Sequence, residues 1–362
     1  MTAEPTNAAV PLTLAEFAAE ARAKLTVAAW EYLDSGAADE HTLRANRAAF
    51  EALSLHPRVL RDVSALDTSL ELLGQRLAHP VLVAPTGYHG LFHPDAERAT
   101  ARGAAAAHAV LTLSSFANTR LEDVVALHPG GVWFQLYVQR DREATRALVQ
   151  RAEAAGCRAI VVTVDTPVLG ARDREHRIGF ALPEGLTIAN FPAARSVLAH
   201  RQDDEGVYAS LLDPTLDWHT LHWLRGVTRL PIVLKGVLSP DDAGIAADGA
   251  ADGVIVSNHG GRNLDTVPAA LEALPRVAEA VADRIPVLMD GGIRRGTDVA
   301  KALALGARAV LVGRPVLWGL AVAGETGVRD VLATLVRELK QAMSLLGCTR
   351  LAQLDGGILW HA

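Results

Sequence analysis

The sequence has little of what marks a disulfide-rich, metal-binding or membrane-spanning protein. It holds two cysteines, Cys157 and Cys348, far apart and without metal-ligand spacing, so we expect ordinary buried thiols and no metal site. No stretch approaches the roughly 18 uncharged apolar residues of a membrane span. The opening MTAEPTNAAVP lacks the basic and apolar parts of a signal peptide. The sequence therefore predicts a soluble cytoplasmic protein with no membrane partner.

An excess of positive charge is also lacking, since the formal net charge is -6. A mildly acidic surface does not attract nucleic acid, so we expect no nucleic-acid partner. Lysine is scarce, and only four of the 35 basic residues are lysines. The position of each lysine, Lys235 above all, is therefore informative.

Half of the 362 residues are hydrophobic, and many of them fall into eight short runs rich in Val, Ile and Leu. Such runs, bounded by Gly, Pro or polar residues, are typical of parallel strands that are buried on both faces. The predicted strands are residues 81–84, 110–113, 132–136, 159–164, 232–234, 253–256, 287–289 and 309–312. Between most of them lie amphipathic stretches of helical length, such as residues 95–107, 142–155, 240–247 and 296–305.

Eight repeats of strand and helix favour closure of the sheet into a barrel. We therefore predict an α/β fold, a (β/α)8 TIM barrel, as a single domain over residues 1–362. Residues 1–75, with a helical segment at 12–50, form an N-terminal cap, and residues 76–362 form the barrel. The stretch from about 173 to 217, after the fourth strand, is longer than an ordinary loop and predicts a flap.

Polar residues follow the predicted strands, at the end of the barrel where such folds hold their chemistry. A purely structural barrel also begins its loops with polar residues. That explanation does not readily account for a candidate base, a rare lysine, two carboxylates and two glycine turns on one rim. In strand order, these positions are Thr86 and Gly87, Ser114, Gln135 and Tyr137, Thr163 and Asp165, Lys235, Ser257 to Arg262, Asp290 to Gly292, and Gly313 with Arg314.

The turns after the seventh and eighth strands indicate a phosphate site. Glycines such as Gly292 and Gly313 allow close backbone approach, and these two loops commonly hold phosphate in this fold. Arg294 and Arg314 add charge-assisted contacts to an anion.

Lys235 and His259 are the most informative single positions. A buried ammonium at Lys235 needs an anionic partner, either an acidic neighbour or a bound cofactor that becomes anionic when reduced. His259 precedes two glycines and Arg262, so its imidazole could take a proton from a substrate whose carboxylate Arg262 holds.

Three segments carry a resemblance to a known family: VTVDTPVLG at 162–170, SNHGGRNLD at 257–265 and DGGIRRGTDVAKALALGA at 290–307. The chain resembles the FMN-dependent (S)-2-hydroxy-acid oxidases and dehydrogenases, which include glycolate oxidase, lactate oxidase and mandelate dehydrogenase. The resemblance extends from Tyr32 to the final helix. It implies an FMN cofactor and the oxidation of an (S)-2-hydroxy acid to the 2-oxo acid.

The resemblance also implies residue roles. His259 would be the catalytic base, Asp165 its partner, and Tyr137 a group near the substrate hydroxyl. The implied substrate-binding residues are Tyr32, Tyr137, Arg172, Arg262, Phe116 and Gly87. The implied cofactor-binding residues are Thr86, Gly87, Ser114, Gln135, Thr163, Lys235, Ser257, Asp290, Gly292, Arg294, Gly313 and Arg314.

The electron acceptor and the acid remain open at this point. The resemblance favours an oxidase that passes electrons to oxygen, giving hydrogen peroxide, and a homotetrameric assembly. Gly87 replaces an alanine of glycolate oxidase, and a glycine here is more typical of dehydrogenases that react slowly with oxygen. The alternatives are therefore a dehydrogenase that uses a quinone or another carrier, a flavin barrel such as isopentenyl diphosphate isomerase, and a non-catalytic FMN- or phosphate-binding barrel.

Overall fold

The computed structural model describes residues 11–191 and 211–360, and a closed barrel of eight parallel strands lies at its centre. Each strand pairs with the next in sequence, and the last returns to the first, with Leu311 opposite Leu82. The predicted (β/α)8 barrel is confirmed. The strands are β1 Val81–Val83, β2 Leu111–Leu113, β3 Val132–Leu136, β4 Ile160–Thr163, β5 Ile232–Val237, β6 Gly253–Val256, β7 Val287–Asp290 and β8 Ala309–Val312.

Successive residues of a strand point to opposite faces, so the strands feed two apolar clusters. Val81 and Val83 pack in the larger cluster together with the surrounding helices. Leu82 belongs to a smaller cluster built from the alternate positions of the barrel strands. An antiparallel hairpin, Leu70–Leu72 with Gln75–Leu77, packs on the smaller cluster. This hairpin was not predicted, and it crosses the expected boundary between residues 75 and 76.

The helices surround the barrel and agree closely with the predicted amphipathic stretches. The helix predicted at residues 142–155 is observed as Arg142–Ala155. The helices are α1 Leu14–Lys24, α2 Val27–Asp34, α3 His41–Ala52, α4 Ala96–Ala106, α5 Leu121–Leu127, α6 Arg142–Ala155, α7 Asp173–Arg177, α8 Trp218–Arg225, α9 Pro240–Ile245, α10 Ala270–Val281, α11 Gly296–Ala304 and α12 Arg314–Leu346, the last kinked at Ala323 and Gly324.

The predicted N-terminal cap consists of α1, α2 and α3, and α3 packs directly on the mouth of the barrel. The side-chain amides of Asn46 and Asn258 donate to each other at 2.8 Å. A Cβ on Gly292 would lie 2.1 Å from the carbonyl oxygen of Asn46. The close approach of α3 therefore requires glycine at position 292. From the sequence, this glycine was explained by phosphate binding alone.

The predicted flap begins with the short helix α7. Part of the flap, including the RQDDE segment, lies outside the described residues. Within the described ranges, both cysteines are buried thiols without a disulfide, as expected. In these ranges, each helix is too short or too polar to cross a bilayer. Near the chain ends, Ser54–Leu55 pairs antiparallel with Leu359–Trp360.

Candidate active site

A cleft of about 1000 Å³, counting the part open to solvent, lies at the carboxyl ends of the barrel strands. Among the described residues, it brings together nearly all of the predicted site residues. These are Tyr32, Thr86, Gly87, Ser114, Phe116, Gln135, Tyr137, Thr163, Arg172, Lys235, His259, Arg262, Asp290, Gly292, Arg294, Gly313 and Arg314.

Two predicted site residues, Asp165 and Ser257, lie behind the cleft wall instead of on it. Asp165 contacts the imidazole of His259. The hydroxyl oxygen of Ser257 accepts from the Nζ of Lys235 at 3.1 Å and from the backbone N–H of His259 at 3.0 Å. Both residues therefore support neighbours that line the cleft.

The imidazole of His259 is held by a carboxylate. Its Nδ1 lies 3.0 Å from Oδ1 and 3.2 Å from Oδ2 of Asp165. Because a carboxylate can only accept, Nδ1 carries the hydrogen and Nε2 is the basic nitrogen of the neutral ring. The backbone of His259 has a φ of 57°, a left-handed conformation that is uncommon outside glycine.

Burial and the nearby charges set the protonation of this pair. Burial lowers the pKa of His259 below its ordinary value and, together with the smaller effects of the positive charges of Lys235 and Arg172, outweighs the opposing effect of Asp165. Burial alone would raise the pKa of Asp165, but His259 and Lys235 bring it below its ordinary value. Near neutral pH the pair is thus a neutral imidazole beside an ionised carboxylate.

Asp165 itself is fixed by the adjoining loops. The side-chain amide of Asn263 donates to the carbonyl oxygen of Asp165 at 2.8 Å. Gly236 has a φ of 110°, and a Cβ there would lie 2.5 Å from the Cβ and Cγ of Asp165. The absence of a side chain at the bulge in β5 therefore leaves the space that Asp165 occupies.

Lys235 has an acidic partner within the protein. Its Nζ lies 3.2 Å from Oδ2 of Asp290, and both side chains are buried. Although burial alone would lower the pKa of Lys235, the charges of Asp290 and Asp165 raise it above the usual value. The acidic neighbour, one of the two expected partners, is therefore present, and the ammonium does not need a cofactor to be neutralised.

The two arginines expected to hold a substrate carboxylate lie on the same wall as Tyr32. The guanidinium of Arg262 lies over the Tyr32 ring, 5.1 Å from its centroid. It donates to the carbonyl oxygens of Tyr32 and Ser35 at 2.7 and 2.9 Å. Contacts with the cap helix α2 and the residues after it thus orient Arg262 towards the cleft that it lines.

Two further buried guanidiniums of the cleft, those of Arg294 and Arg314, donate to backbone carbonyl oxygens. Arg314 donates to the carbonyl oxygens of Leu33, Gly260 and Ser35, and Arg294 donates to that of Ile293. Burial, together with neighbouring arginines, lowers the pKa of Arg314 to about 9 and that of Arg294 to about 10. Because a guanidinium stays protonated near neutral pH, the region around these two arginines favours a bound anion.

The cleft wall also offers polar atoms suited to a flavin nucleotide. Oδ1 of Asp290 is buried and has no hydrogen-bond partner in the part of the chain that the structure describes. The amide of Gln135 donates to the Thr163 hydroxyl at 2.9 Å and accepts from the Ser114 hydroxyl at 3.3 Å. An anion pocket, an unpaired buried acceptor and this polar row together fit FMN.

One wall of the cleft is aromatic. Phe116 lies between Tyr137 and Tyr88, with ring centroids 5.0 and 6.0 Å away. Tyr32 stacks on Phe180 with the ring centroids 5.1 Å apart. Phe116 lines the cleft as predicted, whereas Tyr88 lies behind it.

A family model for FMN-dependent dehydrogenases matches residues 21–361, which is nearly the whole chain. The chain belongs to this family. Membership in the FMN-dependent dehydrogenase family confirms the family expected from the sequence motifs and FMN as the cofactor.

Known members of the FMN-dependent dehydrogenase family are similar over almost their full length. An L-lactate oxidase of Nostoc sp. is 47% identical over 357 residues, which cover 96% of this chain and 98% of that protein. Glycolate oxidase 1 of Oryza sativa subsp. indica is 47% identical over 342 residues, 94% of this chain and 93% of that protein. A structure of mandelate oxidase with (S)-4-hydroxymandelic acid superposes with a TM-score of 0.91 at 44% identity, covering 97% and 98% of the chains.

Several residues beside the cleft were not predicted. Glu175 and Ser35 contact the guanidinium of Arg262, and Nε2 of the buried His89 lies 2.7 Å from the Thr86 hydroxyl. Within DREHR, Glu175 resembles part of a solvated charge run. Glu175 lies three residues after Arg172, a spacing at which side chains on a helix can form an ion pair. This spacing could have indicated the contact with Arg172 from the sequence.

Proposed function

We propose that this enzyme oxidises an (S)-2-hydroxy acid to the 2-oxo acid with FMN and passes the electrons to oxygen, giving hydrogen peroxide. The observation that carries the proposal is a histidine that is paired with a buried carboxylate and lines the same cleft as two arginines. A base beside an anion clamp is the arrangement that removal of a proton from a hydroxy acid requires.

His259 is the proposed catalytic base. Its Nε2 takes a proton from the substrate, and the ionised Asp165 stabilises the imidazolium that forms. When bound, FMN supplies the two-electron chemistry by accepting the hydride equivalent. Lys235 forms an ion pair with Asp290 and a hydrogen bond with Ser257, and its positive charge would stabilise the negative charge of the reduced cofactor.

Arg262 and Arg172 are proposed to bind the substrate carboxylate, because a planar guanidinium matches the geometry of a carboxylate. Tyr32 and Tyr137 line the same cleft. We assign Tyr32 as a further donor to the carboxylate and Tyr137 as the group near the substrate hydroxyl. Gly87 and Phe116 would border the substrate side chain. The FMN phosphate is assigned to Arg294 and Arg314 with Gly292 and Gly313. The remainder of the cofactor is assigned to Thr86, Gly87, Ser114, Gln135, Thr163, Lys235, Ser257 and Asp290.

Oxygen is the proposed acceptor because lactate, glycolate and mandelate oxidases are among the similar proteins. Gly87 favours the alternative, a dehydrogenase that reduces a quinone or another carrier. Stopped-flow mixing of the reduced enzyme with oxygen or with a quinone separates these readings. Faster flavin reoxidation by the quinone would reject the oxidase.

The hydroxy acid is tested by anaerobic mixing with L-lactate, glycolate, (S)-mandelate and longer acids. Bleaching of the flavin absorbance by one or more of these acids is the expected result. If none of them reduces the flavin, the activity is rejected and a non-catalytic FMN-binding barrel is favoured. The acid with the highest ratio of reduction rate to Kd identifies the preferred side chain.

A cytoplasmic location and a homotetrameric assembly are the remaining parts of the proposal. Both are predictions from the sequence and its resemblance to the family. Light scattering coupled to size-exclusion chromatography tests the assembly, and a mass of one or two chains would reject a tetramer. Fractionation of the native cells tests the location.

A further inference from the structure

One buried carboxylate oxygen lies between the two guanidiniums assigned to the substrate. Glu175, in α7, is 9% exposed. Its Oε1 accepts from Nη2 of Arg262 at 2.8 Å and from Nη1 of Arg172 at 3.4 Å. The same oxygen accepts from the hydroxyl of Ser35 at 3.0 Å. Three donors thus converge on one atom of an acidic side chain that has no part in the proposed mechanism.

We propose that Glu175 is a positioning residue that holds the guanidiniums of Arg172 and Arg262 side by side for the substrate carboxylate. This inference rests on the proposed function, because it takes these two arginines as the carboxylate clamp. Both arginines are among the described residues that line the cleft, and Glu175 is not. Its carboxylate therefore lies behind the clamp and does not compete with the substrate.

Electrostatics gives the reason for a carboxylate at this position. Two neighbouring guanidiniums repel each other, and Arg314 adds a further positive charge to the same cleft. Charge-assisted hydrogen bonds to one shared oxygen offset this repulsion and fix the orientation of both side chains. The arginine side chains then lose less conformational entropy when the substrate binds, because they are already held in the binding arrangement.

The helix that carries Glu175 is anchored to the N-terminal cap. Arg174, the preceding residue, pairs with Glu31 at 2.5 Å and with Asp34 and Glu40 at 3.1 Å. The cap also supplies Ser35 and the tyrosine on the same wall. The position of the Glu175 carboxylate is therefore set by α2 and the residues that follow it.

The test uses the FMN-loaded full-length enzyme. L-lactate, glycolate and (S)-mandelate are each titrated anaerobically, and the acid that reduces the wild-type flavin fastest is used for all variants. For Glu175→Gln we expect the Kd of that acid to rise about tenfold, with a much smaller change in the limiting reduction rate. Glu175→Asp, which retains the charge, should restore part of the affinity. Asp173→Asn removes an exposed charge from the same helix and should leave both quantities unchanged.

An unchanged or lower Kd in Glu175→Gln would overturn the inference, as would a reduction rate that falls while Kd stays constant. If Glu175→Gln does not retain FMN, Glu175→Asp decides the question, because its shorter side chain should also weaken binding. An unchanged Kd in that variant then overturns the inference. Failure of the wild-type enzyme to bleach with all three acids would instead reject the proposed function.

Discussion

The Nδ1 of His259 lies 3.0 Å from a carboxylate oxygen of Asp165, and the two residues come from the loops after β6 and β4. The contact fixes the tautomer of the ring, so the basic nitrogen is Nε2. It also places a negative charge where an imidazolium would form. Most of the expected functional consequences follow from this pair.

Replacement of His259 by alanine should leave FMN bound and remove the base. We expect the anaerobic rate of flavin reduction to fall by roughly 10²–10⁴-fold. Flavin absorbance of the purified variant checks cofactor binding, and stopped-flow mixing measures the rate. Near-normal bleaching would reject the assigned role.

The rate of reduction should depend on pH through His259. Because burial lowers its pKa, the imidazole is neutral at pH 7, and activity should be lost only as the pH falls below the range of an ordinary histidine. Asp165→Asn removes the group that raises this pKa, so its acid limb should move to still lower pH. Its plateau rate should also fall, by about 10²–10⁴-fold, since the imidazolium is no longer stabilised. An acid limb that moves upward in the variant would contradict this assignment.

Gly236→Ala should disturb the position of Asp165. The added methyl would lie 2.5 Å from Asp165 on a backbone with a φ of 110°. We expect a loss of stability of about 1–3 kcal/mol and a lower reduction rate. Gly74→Ala is the matched control, because it has a φ of 71° and open space around its Cβ. If both variants keep the wild-type rate, Gly236 does not set the position of Asp165.

Gly87→Ala should narrow the part of the cleft next to the aromatic wall. Its Cβ would lie 3.3 Å from both the Cβ of Phe116 and the hydroxyl of Tyr32. The ratio of reduction efficiency for (S)-mandelate over L-lactate should fall roughly tenfold, as one methyl group in a pocket allows. Gly244→Ala adds the same methyl in open space and should leave the ratio unchanged. An unchanged ratio in Gly87→Ala would place the substrate side chain elsewhere.

The barrel could be predicted because its strands are continuous apolar runs, and the rim residues because they follow those runs. Contacts between segments that are distant in the sequence could not be predicted. To predict the ion pair of Lys235 with Asp290, one must know that β5 and β7 are both neighbours of β6 in the barrel and bring these side chains together. The need for glycine at Gly292 comes from α3, far away in the sequence. Glu175 resembles a surface charge until the cap covers it.

The amide pair between Asn46 and Asn258 joins positions 212 residues apart in the chain. Contacts of such long sequence separation form late, because the entropy of closing a large loop must be overcome first. During synthesis, the cap emerges early but cannot dock until the sixth strand has been made. We therefore expect the nascent chain to acquire its ability to retain flavin only near the end of translation, and not gradually.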